Sequence, residues 1–285
     1  MFDKQKNLKK ILITGANGML GTAIAAELKD CKLFPFSSKE LDITCSFQLD
    51  QNVKSIQPDY IINCAAYTAV DLAESEQDKA FKVNALAVQK MAQIAKQYNA
   101  TFIHFSTDYV FNGDATTPYT IDQETDPINV YGASKLAGEK TISQINGKHY
   151  IFRISWLYAP HGKNFFKWVA EIDMKELNIV DSQTGSPTNA LDVASFTKHV
   201  IENDPATYGI YHFTNQGDMT WYAFAKAINK KLDLGKTIAP IAEFKTAAKR
   251  PAYSVMNCST TQEVFDYIIP SVEDGLDQVI SIYKS

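Results

Sequence analysis

The chain has 285 residues, 45% of them hydrophobic and 12% aromatic, enough to bury a large core and to exclude a disordered chain. Its formal net charge of -4 provides no basic field for nucleic acid or an anionic membrane surface. Cys31, Cys45, Cys64 and Cys258 form no CxxC pair, and His104, His149, His161, His199 and His212 have no ligand spacing, so neither a disulfide framework nor a metal motif is visible.

The N-terminal MFDKQKNLKK is charged and lacks the apolar core of a signal peptide, and no apolar run approaches a membrane span. The expectation is a soluble cytoplasmic protein. The first predicted strand, ILIT (11–14), runs straight into Thr14-Gly15-Ala16-Asn17-Gly18-Met19-Leu20-Gly21 and then the helix-forming AIAAELK. Strand, glycine turn and helix in that order form a dinucleotide site. Glycine allows positive φ, close approach of a pyrophosphate and tight helix packing, and the helix N-terminal amides face the phosphate charge. The spacing is GxxGxxG, distinct from the GxGxxG of many dehydrogenases.

The second predicted strand, KLFPF (32–36), ends at Ser37, Ser38 and Lys39, where an NAD-binding site carries an acid about twenty residues past the glycine turn. Hydroxyls and a cation accept a 2′-phosphate that an aspartate repels, so NADPH is the expected cofactor, with NADH as the alternative. Asp42, followed by Ile43, has two readings: a partner for the adenine amino group, or an N-cap for the helix after Thr44.

The runs YIINCAA (60–66), TFIHFST (101–107) and YIFRIS (150–155) complete five continuous apolar strands of the kind covered on both faces. Between the third and fourth, Val83, Ala87, Met91, Ile94 and Tyr98 recur as one stripe of a core helix. This alternation predicts an α/β fold with a Rossmann-type, doubly wound parallel sheet over residues 8–155.

Ser106, Thr107 and Asp108 end the fourth strand, on the side of an open sheet where ligands bind. Thr107 is the candidate to hydrogen-bond a reacting oxygen, while Ser106 suits the backbone of the turn. Tyr131 and Lys135 stand four residues apart in YGASK, on one face of a helix. The spacing lets the lysine charge lower the phenol pKa and bind the nicotinamide ribose, so that the pair carries the proton chemistry of a ketone reductase.

After Ser155 the rhythm breaks into WLYAPHGKNFFKWV, DSQTGSPTN and KRPAYSVMN, loops suited to covering a substrate. Helices are expected near Asn189 and at Thr220, whose hydroxyl caps a helix that turns Trp221, Phe224 and Ile228 inward. Residues 156–285 therefore read as a smaller, interleaved substrate region, with residues 189–215 or so returning to the sheet.

TGANGMLG, NCAAYTAVDLAE, STDYVF, YGASKLAGEK, FRISWLYAPHGKNF and DSQTGSPT together resemble the extended short-chain dehydrogenase/reductases, and more closely the dTDP-4-dehydrorhamnose reductase family. The similarity runs from about Ile11 to RPAYS at Arg250–Ser254. It implies a Rossmann domain with a smaller nucleotide-sugar domain, and NAD(P)H-dependent reduction of a sugar 4-keto group to give dTDP-L-rhamnose for surface polysaccharide. Thr107, Tyr131 and Lys135 take the reactive positions. Gly18, Met19 and Leu20 fall in the phosphate loop, Asp42 and Ile43 near the adenine, and Ala65, Ala66, Tyr67 and Thr68 beneath the nicotinamide side. Trp156 matches a tryptophan that packs on the sugar, Asp108 neighbours it, and Arg250 matches an arginine suited to a diphosphate.

The resemblance implies a small-molecule nucleotide-sugar partner and leaves monomer or homodimer open. Ala23 stands where some relatives carry a glutamate for a divalent cation at a dimer contact, which argues against a metal-bridged dimer. Two competitors remain. A dehydratase of the same fold is disfavoured by Tyr109, where dehydratases place a second acid after Thr-Asp, and an epimerase, which regenerates its cofactor each cycle, is separated from a reductase by stoichiometric cofactor consumption. A non-catalytic regulatory subunit is disfavoured by the retained Tyr131 and Lys135.

Overall fold

The computed structural model describes residues 8–285, so most of the N-terminal stretch read for targeting lies outside the described residues. The chain alternates strand and helix: β1 (Lys10–Thr14), α1 (Met19–Glu27), β2 (Lys32–Phe36), α2 (Ser46–Ile56) and β3 (Tyr60–Asn63). Then come α3 (Val70–Ala73), α4 (Gln77–Phe81), a π-helical turn (Lys82–Ala87), α5 (Val88–Gln97), β4 (Thr101–Thr107), α6 (Val130–Ile145) and β5 (His149–Ile154).

The later elements are shorter: β6 (Leu157–Tyr158), α7 (Phe165–Glu171), β7 (Glu176–Val180), β8 (Thr184–Gly185), β9 (Thr188–Asn189), α8 (Ala190–Asn203) and β10 (Gly209–His212). The chain ends with β11 (Met219–Thr220), α9 (Trp221–Leu232), β12 (Thr237–Ile241), α10 (Ser259–Phe265) and α11 (Val272–Tyr283).

Six parallel strands form the central sheet in the order β10-β5-β4-β3-β1-β2. Pleating sends alternate residues to opposite faces. Ile11, Ile13, Ile62 and Phe152 pack with α1 and α8, whereas Leu12, Ile61 and Ile151 pack with α2, α5 and α6. The order reverses at β1, between β2 and β3, so the loops beyond Thr14, Asn63 and Thr107 open on a common crevice.

One expected strand differs. β2 is an edge strand with Lys32 and Pro35 exposed, not covered on both faces. Proline has no N–H to give a further strand and suits an edge.

The predicted stripe holds, with Ala87, Met91 and Ile94 buried, but it begins in the π-helical turn. Asn189 and Thr220 cap α8 and α9 through their side chains, accepting from the amides of Leu191 and Ala223. A separate core of Tyr158, Phe166, Val169, Leu177, Phe224, Ile228, Leu276 and Val279 holds the later region together. No helix among the described residues is long and apolar enough to cross a membrane.

Candidate active site

The glycine turn is built for close approach. Gly15 has φ +65, and a Cβ there would lie 2.7 Å from Ala65 N; at Gly21 a Cβ would meet Gly15 O at 2.3 Å. No side chain caps the start of α1 at Gly18, so the first-turn amides of Met19 and Leu20 remain for an anion. Among the described residues no cluster of His, Cys, Asp or Glu could hold a metal ion.

A cavity of about 570 Å³ opens over this turn. Asn17, Gly18, Met19 and Leu20 line one end, and Thr107, Asp108, Tyr131, Lys135 and Trp156 the other, with Ala65, Ala66 and Thr68 between. Ala65 and Ala66 also line a neighbouring space of about 230 Å³ with Gly15, Ser38, Asp42, Ile43 and Tyr67. The two spaces share Ala65 and Ala66 and so adjoin as one groove.

The reactive end is buried and sparsely hydrogen-bonded. Burial pushes the Tyr131 phenol up to about 12, with the neighbouring Thr107 hydroxyl acting in the opposite direction. Thr107 Oγ1 donates to Asp108 Oδ1 at 3.0 Å and accepts from Tyr109 N at 3.2 Å. Burial raises the Asp108 carboxyl to about 6. Ser106 and Asp108 line the cavity, and their buried Oγ and Oδ2 atoms have no hydrogen-bond partner among the described residues. Unpaired buried polar atoms of this kind call for a ligand or water.

The lysine field expected at the phenol is directed elsewhere. Lys135 Nζ donates to Phe105 O at 2.6 Å and meets His104 Nε2 at 3.2 Å, because a buried lysine must find partners in its own layer. Burial lowers its pKa to about 8. The charge acting on Tyr131 is that of Asp108.

Other expected residues are only partly brought together. Ser37 lies outside both spaces, its amide and hydroxyl donating to Glu40 Oε2 at 2.8 and 2.6 Å; Lys39 is also outside, and only Ser38 reaches the groove. Asp42 accepts from the amide and hydroxyl of Thr44, both at 2.9 Å, so it ties the turn before α2, yet it also borders the groove.

Trp156, at φ +45, stacks on Trp221 with ring centroids 3.6 Å apart and planes 4° apart. Arg250 stands in a second cavity of about 510 Å³, its Nη2 2.8 Å from Asp71 Oδ2 and its Nη1 3.3 Å from Asp71 Oδ1. Phe165, Trp168, Trp221 and Phe244 supply aromatic surface there.

Sequence reasoning missed most of that aromatic wall, and it missed Asn84. From the π-helical turn, Asn84 Oδ1 accepts from Tyr67 N at 2.8 Å, while its Nδ2 donates to Tyr67 O and Ser134 Oγ, both at 3.0 Å. One buried amide thus fixes the loop after β3 against α6.

The model of a known family, the RmlD substrate binding domain, matches residues 9–285. The chain belongs to this family. It is 35% identical over 285 residues to a dTDP-4-dehydrorhamnose reductase of Sinorhizobium fredii, covering 95% of this chain and 96% of that protein. A dTDP-4-dehydrorhamnose reductase of Bacillus anthracis, solved in complex with NADP, superposes with a TM-score of 0.93 at 37% identity, covering 96% and 99% of the two chains.

The fold of the RmlD family is broader than one reaction. A Thermus thermophilus UDP-glucose 4-epimerase, solved with NAD, reaches a TM-score of 0.81 at 16% identity over 97% of this chain and 99% of its own, a likeness of fold alone. Local chemistry must decide between them. At residue 109 this family member has a tyrosine whose ring meets Tyr131 edge-on, centroids 5.8 Å apart.

Proposed function

We propose that the protein reduces the 4-keto group of dTDP-4-dehydro-L-rhamnose to give dTDP-L-rhamnose, with NADPH as reductant and NADH as the second choice. The observation that carries the reading is one cavity faced by the phosphate turn, Thr107, Tyr131 and Lys135. The resemblance to full-length dTDP-4-dehydrorhamnose reductases supplies the substrate class.

The amides of Met19 and Leu20 hold the dinucleotide pyrophosphate, with Gly15, Asn17, Gly18 and Gly21 shaping the turn. Ser38, Asp42 and Ile43 line the adenine side, and Ala65, Ala66, Tyr67 and Thr68 the path toward the reactive end. Lys135 holds the ribose. The bound dinucleotide supplies the hydride.

Thr107 and Tyr131 receive the ketone oxygen. As negative charge grows there, the Tyr131 phenol gives up its proton and the Thr107 hydroxyl donates a hydrogen bond, so both act on charge that is absent from the ground state. An ammonium at Lys135 balances the phenolate left behind. Asp108 and Trp156 border the sugar. Arg250, with one edge against Asp71, turns its remaining donors to the diphosphate, and the aromatic second cavity takes the base.

The purified protein, given dTDP-4-dehydro-L-rhamnose and NADPH, is expected to consume one reductant for each product formed. Binding of both without loss of NADPH absorbance would sink the reading. Tyr131→Phe is expected to lower kcat by about 10²- to 10⁴-fold and to leave dinucleotide affinity unchanged. A non-catalytic subunit would lose neither function.

A further inference from the structure

Running from the cavity wall into the sheet, four side chains form a buried chain from β1 across β3 and β4 to α6. Thr14 Oγ1 donates to Asn63 Oδ1 at 2.7 Å, Asn63 Nδ2 lies 3.0 Å from His104 Nδ1, and His104 Nε2 lies 3.2 Å from Lys135 Nζ. None of the four is more than 2% exposed, so donors and acceptors must match within the chain.

Its direction is set at one end. The Ala65 amide also donates to Asn63 Oδ1, at 3.1 Å, and turning the Asn63 side chain over would set an NH₂ group against that N–H. Asn63 therefore offers an N–H to His104, whose Nδ1 accepts. Burial holds this histidine well below its ordinary pKa, so the ring is neutral and its single proton sits on Nε2. That N–H points at Lys135 Nζ. An ammonium has no lone pair to receive it, whereas an amine has one and can still donate to Phe105 O.

The surrounding charges allow this. Cys64, beyond β3, is pushed up by burial and stays a thiol. Glu139, one turn further along α6, favours the ammonium but is clasped by Arg153 from β5. Tyr131, one turn earlier on α6, stays a neutral phenol.

We infer that His104 is a positioning residue that favours the neutral amine of Lys135, so that in mildly alkaline solution the free protein holds Nζ unprotonated and dinucleotide binding draws a proton from solvent onto it. The proton adds to the Nζ lone pair; no other bond changes and nothing is oxidised or reduced. The ammonium so formed is turned away by the His104 N–H, toward the ribose oxygens and the Tyr131 phenol. The inference rests on the dinucleotide reading above.

Two measurements on the whole protein test it. In ¹⁵N-histidine NMR of the free protein, assigned by replacing His149, His161, His199 and His212 in turn, His104 is expected as the non-titrating Nε2–H tautomer. An Nδ1–H tautomer overturns the inference. Calorimetric titration with NADPH near pH ~8.5, in two buffers of unequal ionisation heat, counts protons. Up to about three-quarters of a proton should be taken up per dinucleotide, against almost none for His104→Gln, whose side-chain carbonyl accepts from an ammonium.

Binding without proton uptake overturns the inference and leaves the dinucleotide reading standing. Absence of binding overturns the dinucleotide reading, and with it the proton uptake, while the tautomer still decides what His104 presents to Lys135. If His104→Gln does not fold, the two measurements on the unaltered protein decide alone.

Discussion

Arg153 and Glu139 form a two-pronged buried ion pair: Arg153 Nε lies 3.0 and 3.2 Å from the two carboxylate oxygens and Nη2 2.7 Å from Oε2. Glu139 continues the stripe of α6 that carries Tyr131 and Lys135, so the pair fastens the candidate catalytic helix to β5. Removing one partner strands the other charge in the core. Glu139→Gln is expected to cost about 3 kcal/mol or more of unfolding free energy, read as a lower urea midpoint. A loss below about 1 kcal/mol would show that solvent reaches Arg153.

Local patterns made the sheet and the turn legible, because period-two burial, glycine geometry and an i, i+4 pair all act over a few residues. Gly15, Thr107, Tyr131 and Lys135 could therefore be found without coordinates. Arg250 could be found as a residue but not in its setting, since Asp71 lies 179 positions away. The same holds for Trp156 on Trp221 and for His104 on Lys135: the partners meet only through the crossovers of the sheet. Edge position is likewise non-local, which is why β2 looked covered. Glu40 was legible and overlooked, since Ser37-x-x-Glu40 has the spacing of a capping box.

That glutamate bears on cofactor choice. Its carboxylate holds Ser37 at the end of β2, beside the Ser38 that lines the adenine-side space, so a 2′-phosphate entering there meets a negative charge. Glu40→Gln keeps an acceptor for Ser37 and removes the charge. Steady-state kinetics should show KM for NADPH falling a few-fold while KM for NADH hardly moves, and the difference should shrink at high salt. Equal changes for both cofactors would mean that Glu40 acts only through the turn.

The Trp156–Trp221 stack joins the two cavities, with Trp156 on the wall of the first and Trp221 on the wall of the second. A tryptophan at φ +45 costs about 1–3 kcal/mol of backbone strain, so its neighbours must hold it there. Trp221 is one support, beside the close-packed Gly185, and the stack is worth about 1 kcal/mol beyond buried area. Trp221→Ala should raise KM for the sugar nucleotide about tenfold and leave KM for the dinucleotide unchanged. If both rise together, the stack supports the fold and not the substrate side alone.

Asp108 makes a prediction about pH. Its carboxyl is buried at 2% exposure, and the folded state raises its pKa from an ordinary value near 3.8 to about 6, so the folded protein binds this proton more tightly than the unfolded chain does. Its contribution is fully present below the ordinary value and is lost as pH rises through about 6. Above that, the buried carboxylate costs up to about 3 kcal/mol. Asp108→Asn cannot ionise, so its stability relative to the unaltered protein should grow between about pH 4 and pH 7, measured as urea midpoints across that range. Asp71, which Arg250 holds below the usual carboxylate range, has the opposite slope but is common to both proteins, so the difference between the curves isolates Asp108. Parallel curves would mean that the carboxyl is ionised and solvated in the folded protein, and that the unpaired Oδ2 is met by water.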